Sequence, residues 1–136
     1  PTSPPPLLIA LDSVLDPANL GSVLRTSHFL SHPSRPVRVL TCLKNSAPLS
    51  PACSAASSGA MEVSPPLAVG NMPRALQAAR EAGWRVLLAE GSTNRGDVDV
   101  RDVRDWEVGP PTVVVMGGEG DGARALVKRA CDGVVR

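Results

Sequence analysis

Apolar and polar residues along the 136-residue chain fall into alternating blocks of two periods. Residues 7–12 begin with an unbroken apolar run, Leu7 to Leu11, the pattern of a strand covered on both faces. A helix over about Leu20 to Leu30 follows, with Asn19 as a good N-cap and Asp16-Pro17 able to begin the turn earlier. Leu20, Val23, Leu24 and Leu30 share one of its faces, and Ser22, Arg25 and Phe29 lie on the other side. Val37 to Leu43 predicts a second strand. From Asn45 to Ser64 the composition turns to Ser, Ala and Pro; Ser54 to Ala60 reads either as a flexible linker or, between Pro51 and Glu62, as a short helix of small side chains. Val63 to Val69 is a weak strand interrupted by Pro65 and Pro66. Asn71 caps a helix from Pro73 to Ala82, with Ala75, Leu76, Ala79 and Ala82 on one face and Gly83 as its stop. Trp84 to Ala89 and Thr112 to Met116 are strands, Ala123 to Ala130 is a helix, and Val134-Val135 starts a last strand. Glu90 to Pro111 is polar and charged, a long loop with a helical turn around Val103 to Trp106. This alternation predicts a doubly wound α/β domain with a mostly parallel sheet and flanking helices.

Composition narrows the chemistry. A hydrophobic fraction of 43% is ordinary globular usage, and the length suits one core over residues 7–136, with residues 1–6 (Pro-Thr-Ser-Pro-Pro-Pro) reading as the end of a linker. Aromatics are only 2% (Phe29, Trp84 and Trp106), which disfavours a protein that holds bases by stacking. The net charge of +1 neither demands nor excludes a nucleic acid; Arg25, Arg35, Arg38 and Lys44 form a local basic patch or remain solvated surface charges. Cys42, Cys53 and Cys131 form no CxxC pattern, so neither a disulfide framework nor a zinc site follows, and a reducing compartment is the default. His28 and His32 have an i,i+4 spacing, but Pro33 follows and no acidic partner is near, so no metal site is expected. No segment reaches the roughly 18 apolar residues of a membrane span.

Two strand-to-helix turns carry the candidate chemistry. One is Asp16-Pro-Ala-Asn19-Leu-Gly21-Ser-Val-Leu-Arg25 after the first strand; the other is Gly117-Gly-Glu119-Gly-Asp-Gly122 after the strand ending at Met116. In a parallel sheet such turns gather at the carboxyl ends of the strands, where ligands bind. The glycine turn is neither a phosphate-binding P-loop nor a dinucleotide fingerprint, and Glu119 and Asp121 suit a ligand with a positive centre. Its bland alternative is a tight turn without a ligand. Arg25, in the second turn of its helix, is placed to hold a phosphate or carboxylate by paired hydrogen bonds, the alternative being an exposed helical arginine.

At these residues the chain resembles the SPOUT methyltransferases, in particular the SpoU/TrmH branch that methylates ribose 2′-oxygens of RNA. Asp16 to Arg25 resembles that branch's first motif, Ser57-Ser-Gly59-Ala60-Met-Glu62 its small-residue segment, and Val115-Met-Gly117-Gly-Glu119-Gly-Asp-Gly122 its second motif. Lys44 to Pro51, joined to Ser58 to Val63, is most similar to the mitochondrial large-subunit rRNA methyltransferases. The resemblance implies S-adenosylmethionine as cofactor, rRNA as substrate, a homodimer with its site near the subunit interface, and a mitochondrial location, otherwise a cytoplasmic one. It also implies a C-terminal trefoil knot, where connection rules alone predict an unknotted sheet. The family continues past Val134-Val-Arg136 into a Ser-Leu-Asn-rich third motif and a final helix, so residues 7–136 are expected to be the catalytic domain without that motif.

Three residues are implied to be catalytic: Asn19, Arg25 and Glu119. The family account makes the residue matching Arg25 a proton acceptor, but a guanidinium with a pKa above about 12 is a poor base. Arg25 is therefore assigned to the adjacent phosphate and the developing alkoxide. Asn19 orients Arg25 or the ribose, and Glu119 supports that arrangement. Ala89, Glu90, Gly91, Met116, Gly117, Gly118 and Gly120 are expected to border the cofactor, with Gly118 leaving space for it. The alternatives are a base methyltransferase of the same fold and a non-catalytic RNA-binding or ribosome assembly factor that retains the fold.

Overall fold

The computed structural model describes residues 6–91, 99–106 and 109–136. Its seven strands are β1 (Leu7–Asp12), β2 (Val37–Cys42), β3 (Leu67–Val69), β4 (Arg85–Ala89), β5 (Asp99–Arg101), β6 (Thr112–Gly117) and β7 (Gly133–Val135). They form one sheet in the order β3-β2-β1-β6-β4-β7-β5, and every neighbouring pair is parallel. All carboxyl ends thus lie on one edge. Register places Leu11 beside Met116 and Asp12 beside Gly117, while Ala89 stands between Met116 and Val135. The apolar runs of β1, β4 and β6 are the buried middle of the sheet, as continuous hydrophobic strands require.

Helices cover both faces. On one, α1 (Pro17–Leu30), α2 (Pro51–Ala56) and α3 (Ala60–Val63) enclose Leu11, Leu20, Leu24, Val39, Cys53 and Ala60. On the other, α4 (Met72–Glu81) and α5 (Ala125–Arg129) bring Met72, Leu76 and Val127 onto Val86, Val113 and Val115. The result is the expected α/β layering.

The first helix starts earlier than Asn19. Asp16 is its N-cap, with Oδ1 accepting from the Ala18 amide at 2.8 Å, and Pro17 occupies the first turn. Asn19 is the third residue of the helix, so its side chain is released from capping. The buried stripe is Leu20, Gly21, Leu24 and Ser27, whereas Leu30 is exposed, contrary to the expected face. Gly21 explains the stripe. A Cβ there would lie 2.6 Å from Ala56 Cβ and 2.8 Å from the Cys53 carbonyl oxygen, so the glycine lets α1 and α2 touch at backbone distance. That contact decides the small-residue segment in favour of a packed helix over a linker, and Ser50 caps it through the Cys53 amide.

Asn71 caps α4 as expected, its Oδ1 accepting from the Arg74 amide at 3.0 Å, and Gly83 ends the turn at φ +90°. The helix buries Met72 and Leu76, while Ala82 is exposed. β5 is not anticipated by the sequence pattern, because Asp99-Val-Arg101 has a single apolar residue. A 3₁₀ turn at Val103–Asp105 matches the helical turn expected there. Parts of two expectations, the linker at 1–5 and the loop at 92–98 and 107–108, lie outside the described residues.

Candidate functional site

The adjacent ends of β1 and β6 hold the two turns against each other. Between them lies a cleft of about 440 Å³ lined by Leu11, Ser13, Asp16, Asn19, Met116, Gly118 and Glu119, among others. Asn19 Nδ2 donates to Glu119 Oε1 at 3.4 Å, a long hydrogen bond that joins the two motifs across the cleft. Of the three residues expected to be catalytic, Asn19 and Glu119 are brought together here. Arg25 opens elsewhere. It lines a neighbouring groove of about 790 Å³ with Thr26, Phe29, Ser57 and Gly59, between the outer face of α1 and the α2–α3 turn. Ser22 lines both hollows, one helical turn before Thr26, so the groove continues from the cleft. Among the described residues, no hydrogen bond joins Arg25 to Asn19 or Glu119.

The residues expected around a cofactor divide into two kinds. Ala89 and Met116 are lateral neighbours at the strand ends, and Met116 is 38% exposed. Gly91 and Gly120 have open space where a Cβ would stand. Gly117 and Gly118 do not. A Cβ on Gly117 would meet the Ala123 nitrogen at 2.1 Å, and one on Gly118 would meet the Ser13 carbonyl oxygen at 2.1 Å. The close approach at Gly118 is therefore to the chain's own backbone, and the space expected there for a cofactor is filled by Ser13. Ser13 itself adopts φ 61°, and its hydroxyl accepts from Asn45 Nδ2 at 2.7 Å, which fixes the turn after β1. Glu90 forms an ion pair with Lys128 at 2.7 Å, and its amide donates to the Val135 carbonyl at 3.0 Å. Its carboxylate is thus a support between β4 and α5.

Sequence reasoning overlooked Asp12. It is fully buried at the end of β1 and holds both ends of the glycine turn. Its carbonyl accepts from the Gly118 amide at 3.1 Å. Its carboxylate accepts from the Arg124 amide at 2.8 Å and from the Arg124 guanidinium through Nε at 3.0 Å and Nη2 at 2.7 Å. The Cys42 thiol donates to the same carboxylate at 3.6 Å. Burial works against the Asp12 charge, but the hydrogen bonds and charge of Arg124 outweigh it, and the carboxyl titrates below its usual range. Burial first, and then the Asp12 charge, push the Cys42 thiol up, so it stays a protonated donor. A carboxylate ending a strand buried on both faces was the available signal, since such a group requires a partner; nothing in the pattern named Arg124.

The cleft thus presents a carboxylate and an amide on opposite walls, an apolar floor from Leu11 and Met116, and backbone groups at two strand ends. This donor set fits S-adenosylmethionine: the acidic turn suits a sulfonium centre, and the strand ends offer backbone partners and apolar surface to a base and its ribose. Among the described residues, no group of three or more His, Cys, Asp or Glu could hold a metal ion, and no helix is long and apolar enough to cross a membrane.

The sequence profile of the SpoU rRNA Methylase family matches residues 6–136. The chain is 36% identical over 132 residues to the 23S rRNA (guanosine-2'-O-)-methyltransferase RlmB of Pseudomonas syringae, covering 97% of this chain and 49% of that protein. It is 34% identical over 135 residues to the human mitochondrial rRNA methyltransferase 1, covering 94% of this chain and 36% of that protein. A TrmH-family protein from Porphyromonas gingivalis superposes with a TM-score of 0.76 at 25% identity, covering 99% of this chain and 51% of the other. An AdoMet-bound rRNA methyltransferase from Sinorhizobium meliloti shares the fold, with a TM-score of 0.78 at 23% identity over 99% of this chain and 48% of that one. The chain spans about half the length, or less, of the curated relatives it matches.

Proposed function

The chain belongs to the SpoU rRNA methylase family, and on that premise we propose that it carries the catalytic site for methyl transfer from S-adenosylmethionine to a ribose 2′-hydroxyl of RNA, with large-subunit rRNA as substrate. The observation that carries this reading is the Asn19–Glu119 contact, which joins the two family motifs across an open cleft at the carboxyl ends of β1 and β6. The names of the bacterial and human relatives, both rRNA methyltransferases, support the substrate class.

S-adenosylmethionine supplies an electrophilic methyl group; Ala89, Gly91, Met116 and Gly120 would border it, and Glu90, Gly117 and Gly118 would hold the strand ends and turn that form its site. The remaining work belongs to the chain's own side chains. Because Asn19 Nδ2 donates to Glu119, the amide's Oδ1 is left to accept, and a ribose hydroxyl is a donor of that kind. Glu119 fixes which end that is. Arg25, in the groove that continues from the cleft, holds the neighbouring phosphate and stabilises charge developing on the ribose oxygen; it remains charged throughout, and the 2′-hydroxyl proton leaves to water as the methyl–sulfur bond breaks and the methyl–oxygen bond forms. Positioning of this kind supplies several kcal/mol of a transfer barrier.

The finer points of this reading are a homodimer, a C-terminal trefoil knot and residence in mitochondria. The exposed apolar residues Phe29, Leu30 and Val63 beside the Arg25 groove support a dimer face next to the site. The knotted C-terminus is carried by the family resemblance and not by the strand order. The name of the human relative supports a mitochondrial location.

The test is methylation of rRNA by the full-length protein with an isotopically labelled methyl donor, followed by nucleoside mass spectrometry. A labelled 2′-O-methylnucleoside is expected. A label on a base would replace this reading with a base methyltransferase, and no calorimetric binding of S-adenosylmethionine would replace it with a non-catalytic RNA-binding factor.

A further inference from the structure

Because all the strands are parallel, the helices that follow them begin at the same edge of the sheet as the cleft. Helices α4 and α5 start there and run back over the face opposite α1. A groove of about 480 Å³ lies between them, with Arg74 and Gln77 on one wall and Leu126 and Arg129 on the other. The other cations of this face are committed. Arg80 is held by Asp132 at 2.5 Å, Lys128 by Glu90 at 2.7 Å and Arg124 by Asp12 at 2.7 Å. The side chains of Arg74 and Arg129 are exposed and, among the described residues, have no hydrogen-bond or ion-pair partner. Each wall thus offers one uncompensated guanidinium.

We propose that this groove is a path for the phosphodiester backbone of RNA, leading from the cleft edge across the opposite face of the sheet. The RNA identity of the polyanion rests on the function proposed above. The chemistry is that of guanidinium forks on phosphate oxygens, which position a strand without reading its sequence. None of the described lining residues is aromatic, so the groove lacks the rings that would stack bases. Two successive phosphodiesters, one held by the arginine of each wall, release their condensed counterions. For single strands that contributes about −0.7 per phosphate to the slope of log affinity against log salt, or about fivefold per contact at ~0.1 M salt relative to ~1 M.

The experiment measures fluorescence anisotropy of a labelled oligouridylate of about 20 nucleotides with the full-length protein over a salt series. The double variant Arg74→Ala/Arg129→Ala is expected to bind about 25-fold more weakly at ~0.1 M salt, with a slope shallower by about 1.4 and affinities that converge near 1 M. Arg74→Lys/Arg129→Lys, which keeps the charges, is expected to retain most of the slope. A slope unchanged in the alanine variant, with an unchanged melting temperature, would overturn the proposal and leave the groove to a protein partner. Calorimetry with S-adenosylmethionine separates the two readings: the cofactor affinity of the alanine variant should equal that of the wild type. A slope effect in a protein that binds no cofactor would uphold the groove while overturning methyl transfer.

Discussion

Removing the Arg124 guanidinium tests whether Asp12 holds the glycine turn. In Arg124→Met the apolar stem is kept, but Asp12 loses the bonds from Nε at 3.0 Å and Nη2 at 2.7 Å, retaining the Arg124 amide at 2.8 Å and the long Cys42 contact at 3.6 Å. Breaking a buried ion pair from one side costs about 3–5 kcal/mol, because the remaining charge is uncompensated. The Asp12 side chain is fully buried but that of Arg124 is half-exposed, so water screens part of the loss, and the expected cost falls to about 2–3 kcal/mol. With an unfolding entropy of about 2.1 cal/mol/K per residue, a domain of this length loses about 3.5 °C per kcal/mol, hence about 7–10 °C in melting temperature. Acid titration adds a sign. The folded Asp12 carboxyl titrates below its unfolded value, so its contribution is fully present above about pH 4, the unfolded carboxylate value, and is lost as pH falls through the folded one. Thermal melts of wild type, Arg124→Met, Asp12→Asn and the double variant, each between pH 7 and pH 3, give both quantities. The double variant should be less destabilised than the two single losses added together, and either substitution should flatten the acid limb. A melting temperature for Arg124→Met within about 2 °C of wild type, or strictly additive losses, would refute the clamp.

The other predictions concern the cleft and the helix contact. Arg25→Ala should abolish methyl transfer while leaving S-adenosylmethionine affinity by calorimetry nearly intact, and Arg25→Lys should also be poor because a point charge does not replace the planar fork; wild-type turnover in Arg25→Ala would remove the assignment. Gly118→Val should lower the melting temperature and cofactor affinity together, because its Cβ would stand 2.1 Å from the Ser13 carbonyl oxygen; lost affinity at an unchanged melting temperature would restore a cofactor-facing role for this position. Gly21→Ala should cost about 1–3 kcal/mol in urea denaturation through overpacking, since its methyl would lie 2.6 Å from Ala56 Cβ; a neutral result would mean that α1 and α2 separate without penalty.

The parts of this protein that were legible in its sequence are those where one local rule decided the outcome. The runs Leu7–Leu11 and Thr112–Met116 read as strands because a strand covered on both faces has no polar side to show. Asn71 and Gly83 marked the ends of α4 because capping is a property of a few adjacent residues. Asn19 and Glu119 were identified from motif resemblance, and the parallel register of β1 with β6 is what brings them together. Where two rules competed, the sequence was ambiguous. Asp16 and Asn19 are both good caps, and the choice fell to Asp16 because Pro17 is pre-set for the first turn. What remained hidden depends on pairs distant in the chain. Gly118 looks like a ligand glycine until Ser13 is seen against it, and Gly21 looks like a weak point in a helix until Ala56 is. Asp12 looks like the polar end of a strand until Arg124, 112 residues away, is found on it. The same pairing accounts for the basic groove. Composition gives a net charge of only +1, yet the ion pairs of Arg80, Arg124 and Lys128 absorb their nearest carboxylates and leave Arg74 and Arg129 uncompensated on one surface. Near-neutral totals therefore say little about polyanion binding; the attraction an RNA strand would feel is set by which charges the fold has already matched.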